Sequence, residues 1–118
     1  SKFLNFLEND FLNIQTKKKF NVVILSNVLE HIDERVFFLK DIIKKIKPRF
    51  FIIRVPTFDR DWRVPLKKEL GIEWRLDNTH YIEYTKTTLL NELIRANIDI
   101  IDFKSNWGEI WLTGKVKK

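Results

Sequence analysis

The hydrophobic pattern of the chain is clearest between residues 20 and 56. Val22, Val23, Ile24 and Leu25 form an unbroken, mostly β-branched apolar run, which suits a strand buried on both faces of a parallel sheet. The expected strand is Phe20 to Leu25. It stops at Ser26-Asn27, and Glu30-His31 follow almost at once. Val36, Leu39, Ile42, Ile43 and Ile46 then recur at helical spacing, with Lys40, Lys44, Lys45 and Lys47 between them. Asp33 is the expected N-cap, Glu34 favours the helix dipole in the first turn, and Pro48 stops the helix. Phe50 to Val55 repeats the buried-strand signature and closes at Pro56. Strand, helix, strand is a βαβ unit with an expected right-handed crossover. Its two strand exits, Ser26 to His31 and Arg54 to Asp61, then lie side by side and make a crevice, the usual ligand position in an open parallel sheet.

The flanking segments are less regular. Thr57 to Tyr84 is long enough to expect a functional loop, with one helical turn over Pro65 to Leu70. Thr85 is placed to cap a helix whose stripe is Leu89, Leu90, Leu93 and Ile94, and Asn97 suits the left-handed position that ends it. Ile98 to Phe103 and Trp107 to Leu112 read as an antiparallel pair joined at Lys104-Ser105-Asn106. Near the start, Phe3, Leu4, Leu7, Phe11 and Leu12 fit one face of a helix, while Phe3 to Leu7 fits a short strand equally well.

Composition narrows the function. At 118 residues with 44% hydrophobic content, one globular α/β domain is expected. The absence of cysteine excludes disulfides and thiolate metal sites. No apolar stretch approaches a membrane span and no signal peptide is visible, so the expectation is a soluble, cytoplasmic protein. The net charge of +6 admits an anionic partner such as RNA, although the lysines cluster at the solvated ends of elements. With only three glycines, Gly71, Gly108 and Gly114, the chain has no Gly-rich phosphate cradle and no dinucleotide fingerprint.

Phe20-Asn21-Val22-Val23, then Val28-Leu29-Glu30-His31-Ile32, Leu39, Lys47-Pro48, Ile52 to Pro56, Asp77-xx-His80, Tyr84-Thr85 and the closing helix with its strand pair together resemble a class I S-adenosylmethionine-dependent methyltransferase. The resemblance runs from about Phe6 onward and matches the C-terminal part of that domain. It implies a Rossmann-like sheet, mostly parallel with a C-terminal antiparallel strand pair, whose N-terminal strands and Gly-rich cofactor loop are missing. Arg49 stands where the family commonly has glycine.

The same resemblance implies the site. Asp10 would bond the adenine amino group with Phe11 beside the ring, and Ser26 and Asn27 would line the methionine end of S-adenosyl-L-methionine. Glu30, His31 and His80 would face a small-molecule or RNA acceptor, histidine being suited to general-base work near neutral pH. Arg54 and Arg75 offer bidentate contacts to an acceptor carboxylate or phosphate, and Trp62, Trp74 and Trp107 offer a stacking wall. Small-RNA 3′-terminal methyltransferases resemble this stretch and bind a divalent cation, but Asn27 replaces an expected glutamate, so no metal is expected. A half-fold with an open sheet edge would also tend to associate. The competing expectation is a non-catalytic basic module that binds a protein or RNA.

Overall fold

The computed structural model describes residues 20–57, 63–71, 81–106 and 108–117. Its element order is β1 (Val22–Ser26), a single 3₁₀ turn (Leu29–His31), α1 (Arg35–Ile46), β2 (Phe50–Pro56), α2 (Arg63–Glu69), α3 (Lys86–Arg95), β3 (Ile98–Asn106) and β4 (Glu109–Val116). The strands form one sheet in the order β1-β2-β4-β3. β1 and β2 are parallel, with Val22 opposite Phe50 and Ser26 opposite Arg54. β2–β4 and β4–β3 are antiparallel. The sheet is therefore mixed, with the βαβ unit where the sequence puts it and an antiparallel closing pair whose strands run further than expected. Phe3 to Leu7, the N-terminal helix-or-strand segment, lies outside the described residues.

Alternation along β2 divides the sheet into two unlike faces. Phe51, Ile53 and Val55 are fully buried beneath Leu39 and Ile42 of α1 and Leu89 and Leu93 of α3. Ile110 and Leu112 of β4 complete this core. The opposite face carries Val22, Ile24, Ile52, Trp111 and Thr113 by register. No described helix covers it. Ile24 is 66% exposed and Val22 42%, so β1 is buried on one face rather than on both as its apolar run suggests. Composition marks what a strand tolerates; only tertiary cover decides what it buries.

Three local expectations are corrected. α1 begins one residue late, with Glu34 rather than Asp33 at its N-cap and no side-chain cap bond. Its C-cap is Lys47 in the left-handed region at φ 54°, just ahead of Pro48. On α3, Ile94 points outward at 61% exposure, because it lies about 140° around the helix from Leu89; Glu92 sits on the buried side instead. The β3–β4 reversal falls later than Lys104-Ser105-Asn106. β3 runs on to Asn106, which pairs with Glu109, and Gly108 at φ 76° supplies the positive φ that the reversal needs. The Thr85 cap and Asn97 at φ 61° are as expected, and Thr85 with Thr88 closes a reciprocal capping box.

Candidate functional site

Hydrogen bonds draw four segments to the carboxyl ends of β1 and β2. β1 leaves the sheet at Ser26, and Asn27 turns through φ 56°. The Asn27 N–H donates to the Arg54 carbonyl at 3.0 Å, so the first exit is fastened to the second strand. At the end of β2 the Thr57 N–H donates to the Gly108 carbonyl at 3.0 Å, which brings in the β3–β4 reversal. Thr57 also forms an isolated parallel bridge with Tyr84. The Tyr81 N–H donates to the Glu30 carbonyl at 2.8 Å, which fixes residues 81–84 to the 3₁₀ turn.

That turn places Glu30 and His31 together. Glu30 is 1% exposed, and its Oε1 lies 3.8 Å from His31 Nε2. Its Oε2 is buried without a hydrogen-bond partner among the described residues. A buried acceptor left unsatisfied costs about 1–3 kcal/mol. Such an oxygen beside a strand exit is suited to receive a donor from a bound molecule. The His31 side chain is 39% exposed, so one side of its ring reaches solvent while Glu30 stands behind it. Ser26 and Asn27 are both exposed at the exit.

Arg54 has a different environment from the one expected of an acceptor-binding cation. Its Nε donates to Glu109 Oε2 at 2.6 Å, and its guanidinium lies 5.2 Å from the centre of the Trp111 ring. Trp111 Nε1 in turn donates to Glu109 Oε1 at 3.1 Å. These two hydrogen bonds, Trp111 first and Arg54 second, hold the Glu109 carboxyl below its ordinary pKa. The cluster lies on the open sheet face, where Ser26, Arg54, Trp111 and Lys104 form one row across the four strands. Glu109 and Trp111 were not legible as site neighbours from the pattern alone. Their period-two spacing with Thr113 is the signal that puts them on Arg54's face.

The other expected site residues, Asp10, Phe11, Trp62, Trp74, Arg75, His80 and Trp107, lie outside the described residues. Among the described residues, no group of three or more His, Cys, Asp or Glu side chains is placed to hold a metal ion. Nor is any described helix long and apolar enough to cross a membrane.

No protein-family model matches the chain. It is 28% identical over 107 residues to the ubiquinone biosynthesis O-methyltransferase of Rickettsia bellii strain OSU 85-389, covering 86% of this chain and 44% of that protein. The protein of the same name from Rickettsia typhi is 27% identical over 107 residues, again 86% of this chain and 43% of the relative. The chain thus spans less than half the length of the curated relatives it matches. Among solved structures, TnmH superposes with a TM-score of 0.68 at 16% identity, over 96% of this chain and 35% of that one. The small RNA methyltransferase HEN1 gives 0.61 at 10% identity, over 87% and 14%. Magnesium protoporphyrin IX methyltransferase from Synechocystis PCC 6803, with bound SAH, gives 0.57 at 16% identity, over 87% and 47%.

Proposed function

We propose that this chain, which carries the C-terminal part of a class I methyltransferase fold, forms the acceptor-side half of a site for S-adenosylmethionine-dependent methyl transfer. The observation that carries the reading is the convergence at the carboxyl ends of β1 and β2. It presents a buried carboxylate with an unsatisfied oxygen beside a half-exposed histidine. The relatives' names support the reaction class, and the name O-methyltransferase favours an oxygen on a small molecule over an RNA acceptor.

The residues present fit that chemistry in part. Ser26 and Asn27, exposed where β1 ends, would hold the methionine end of the cofactor, which when bound supplies a methyl group on a sulfonium. Glu30 Oε2 accepts a hydrogen bond from the acceptor and orients it for in-line attack. His31, half exposed beside Glu30, takes the acceptor's proton. The open sheet face supports the further reading that this chain works as part of a longer domain. The parallel β1–β2 pair belongs to a type of sheet that is covered on both faces when wholly parallel, and here Ile24 and Val22 of β1 are exposed.

The test is calorimetric titration of S-adenosyl-L-methionine into this chain, and into the polypeptide extended by the coding sequence in frame before Ser1. Saturable micromolar binding by the extended protein, with millimolar or weaker binding by the chain alone, is the expected result. An extended protein that ignores the cofactor yet binds RNA with a steep salt dependence would overturn it in favour of a non-catalytic module.

A further inference from the structure

Behind the exits of β1 and β2 lies a charged cluster that the proposed chemistry does not use. Arg35, at the first turn of α1, donates from Nε to both carboxylate oxygens of Glu92, at 2.6 and 3.0 Å. Its Nη1 donates to the Ile32 carbonyl at 3.0 Å and to the Asp33 carbonyl at 3.3 Å. Glu92 lies on the buried side of α3 and also accepts from the Tyr84 hydroxyl at 2.8 Å. Tyr84 is fully buried. Burial first, and then the Glu92 carboxylate, push its hydroxyl far above the ordinary tyrosine pKa, so it remains a donor at any working pH.

We infer that Arg35, Glu92 and Tyr84 are positioning residues, which set the Glu30–His31 turn and residues 81–84 relative to each other and to α3. Where a buried ion pair merely joins two helices, apolar residues of similar volume often serve as well. Here the remaining donors go elsewhere. Nη1 of Arg35 holds the backbone carbonyls just after His31, and Glu92 holds the side chain of a residue in the 81–84 segment. The Tyr81 N–H bond to the Glu30 carbonyl closes the ring: α1, the turn, residues 81–84, α3 and back to α1. Arginine's planar fork fixes direction as well as distance. Misplacing a reacting group by about 1 Å costs about 100-fold in rate, so such a ring matters for catalysis out of proportion to its effect on stability. The effect on catalysis rests on the methyltransferase reading, while the placement of the turn and residues 81–84 does not.

The experiment compares Tyr84→Phe, Glu92→Gln and Arg35→Lys with the parent chain by amide hydrogen exchange and by the imidazole signals of His31. In Tyr84→Phe, which keeps the volume and removes one hydroxyl, Tyr81 amide exchange is expected to quicken about tenfold or more. The His31 ring signals move as well, while the Ile110 and Leu112 amides stay within about twofold. Arg35→Lys keeps the charge without the fork and is expected to behave like Tyr84→Phe. If Glu92→Gln fails to fold, the other two variants decide the matter. Unchanged Tyr81 and His31 signals in a folded variant would overturn the inference. So would parallel acceleration of all amides including Leu112, since that describes lost stability rather than lost placement. None of these readouts needs cofactor, so failure of the methyltransferase reading in the titration above would be seen separately. In the extended enzyme, the same variants are expected to lower kcat while leaving the cofactor KM unchanged.

Discussion

Gly114→Ala probes how closely β3 and β4 approach on the helix-covered face. Gly114 is buried in β4 opposite Phe51 and Ile100. A Cβ added there meets Cγ2 of Ile98 at 2.5 Å, the Asp99 carbonyl oxygen at 3.4 Å and Leu112 Cδ2 at 3.6 Å. Carbon atoms in contact sit about 3.5–4.0 Å apart, so the Ile98 methyl or the strand itself must give way by about 1 Å. The methyl cannot swing aside alone, because it branches from Cβ and Ile98 is 1% exposed. Overpacking of this kind costs about 1–3 kcal/mol. Ile98→Ala removes the obstacle and costs about 2–5 kcal/mol by itself. The double variant should therefore cost about 1–2 kcal/mol less than the sum of the two singles. Urea denaturation of the four proteins measures the cycle. A Gly114→Ala variant as stable as the parent, or additivity within about 0.5 kcal/mol, would refute the close approach and with it the β3–β4 register.

Two other outcomes follow from the burial pattern. Tyr84 has a folded-state pKa raised above its unfolded value, so the contribution of its hydroxyl is fully present below about pH 10 and is lost as the pH climbs beyond it. The stability gap between the parent and Tyr84→Phe should be flat at neutral pH and shrink by up to about 1.4 kcal/mol per pH unit above about 10; a constant gap to pH 11 would contradict the burial of that hydroxyl. Ile24→Glu, on the open face, should change the stability of this chain by less than about 0.5 kcal/mol. On the proposed reading that further chain packs on that face, the same change in the extended polypeptide should cost about 2 kcal/mol or more, and equal small effects in both would argue that nothing packs there.

The parts of the fold legible in the sequence are those set by local chemistry. The apolar stripe of α1 from Leu39 to Ile46, the Thr85 cap and the left-handed Asn97 each follow from residues within one turn of one another. The paired strand exits were legible because a helix of α1's length between two apolar runs leaves a parallel crossover as the natural connection. What escaped depends on partners far apart in sequence. Arg35 and Glu92 are 57 positions apart, and only a glutamate interrupting the Leu89–Leu93 face of α3 hinted that a charge would be buried there. The exposure of Ile24 could not be read from its neighbours, because it reports which helices cover the sheet. Arg54 was legible as a cation near the site, but its commitment to Glu109 needed the β2–β4 pairing.

Nuclear magnetic resonance mapping of S-adenosylhomocysteine binding to the extended polypeptide tests the shared site at the exits of β1 and β2 most directly. The expected result is amide shifts concentrated at Ser26, Asn27, Glu30 and His31 and in residues 81–84, with Asp102, Lys104 and Trp111 on β3 and β4 silent. Shifts confined to Asp102, Lys104 and Trp111, or none at saturating ligand, would contradict it.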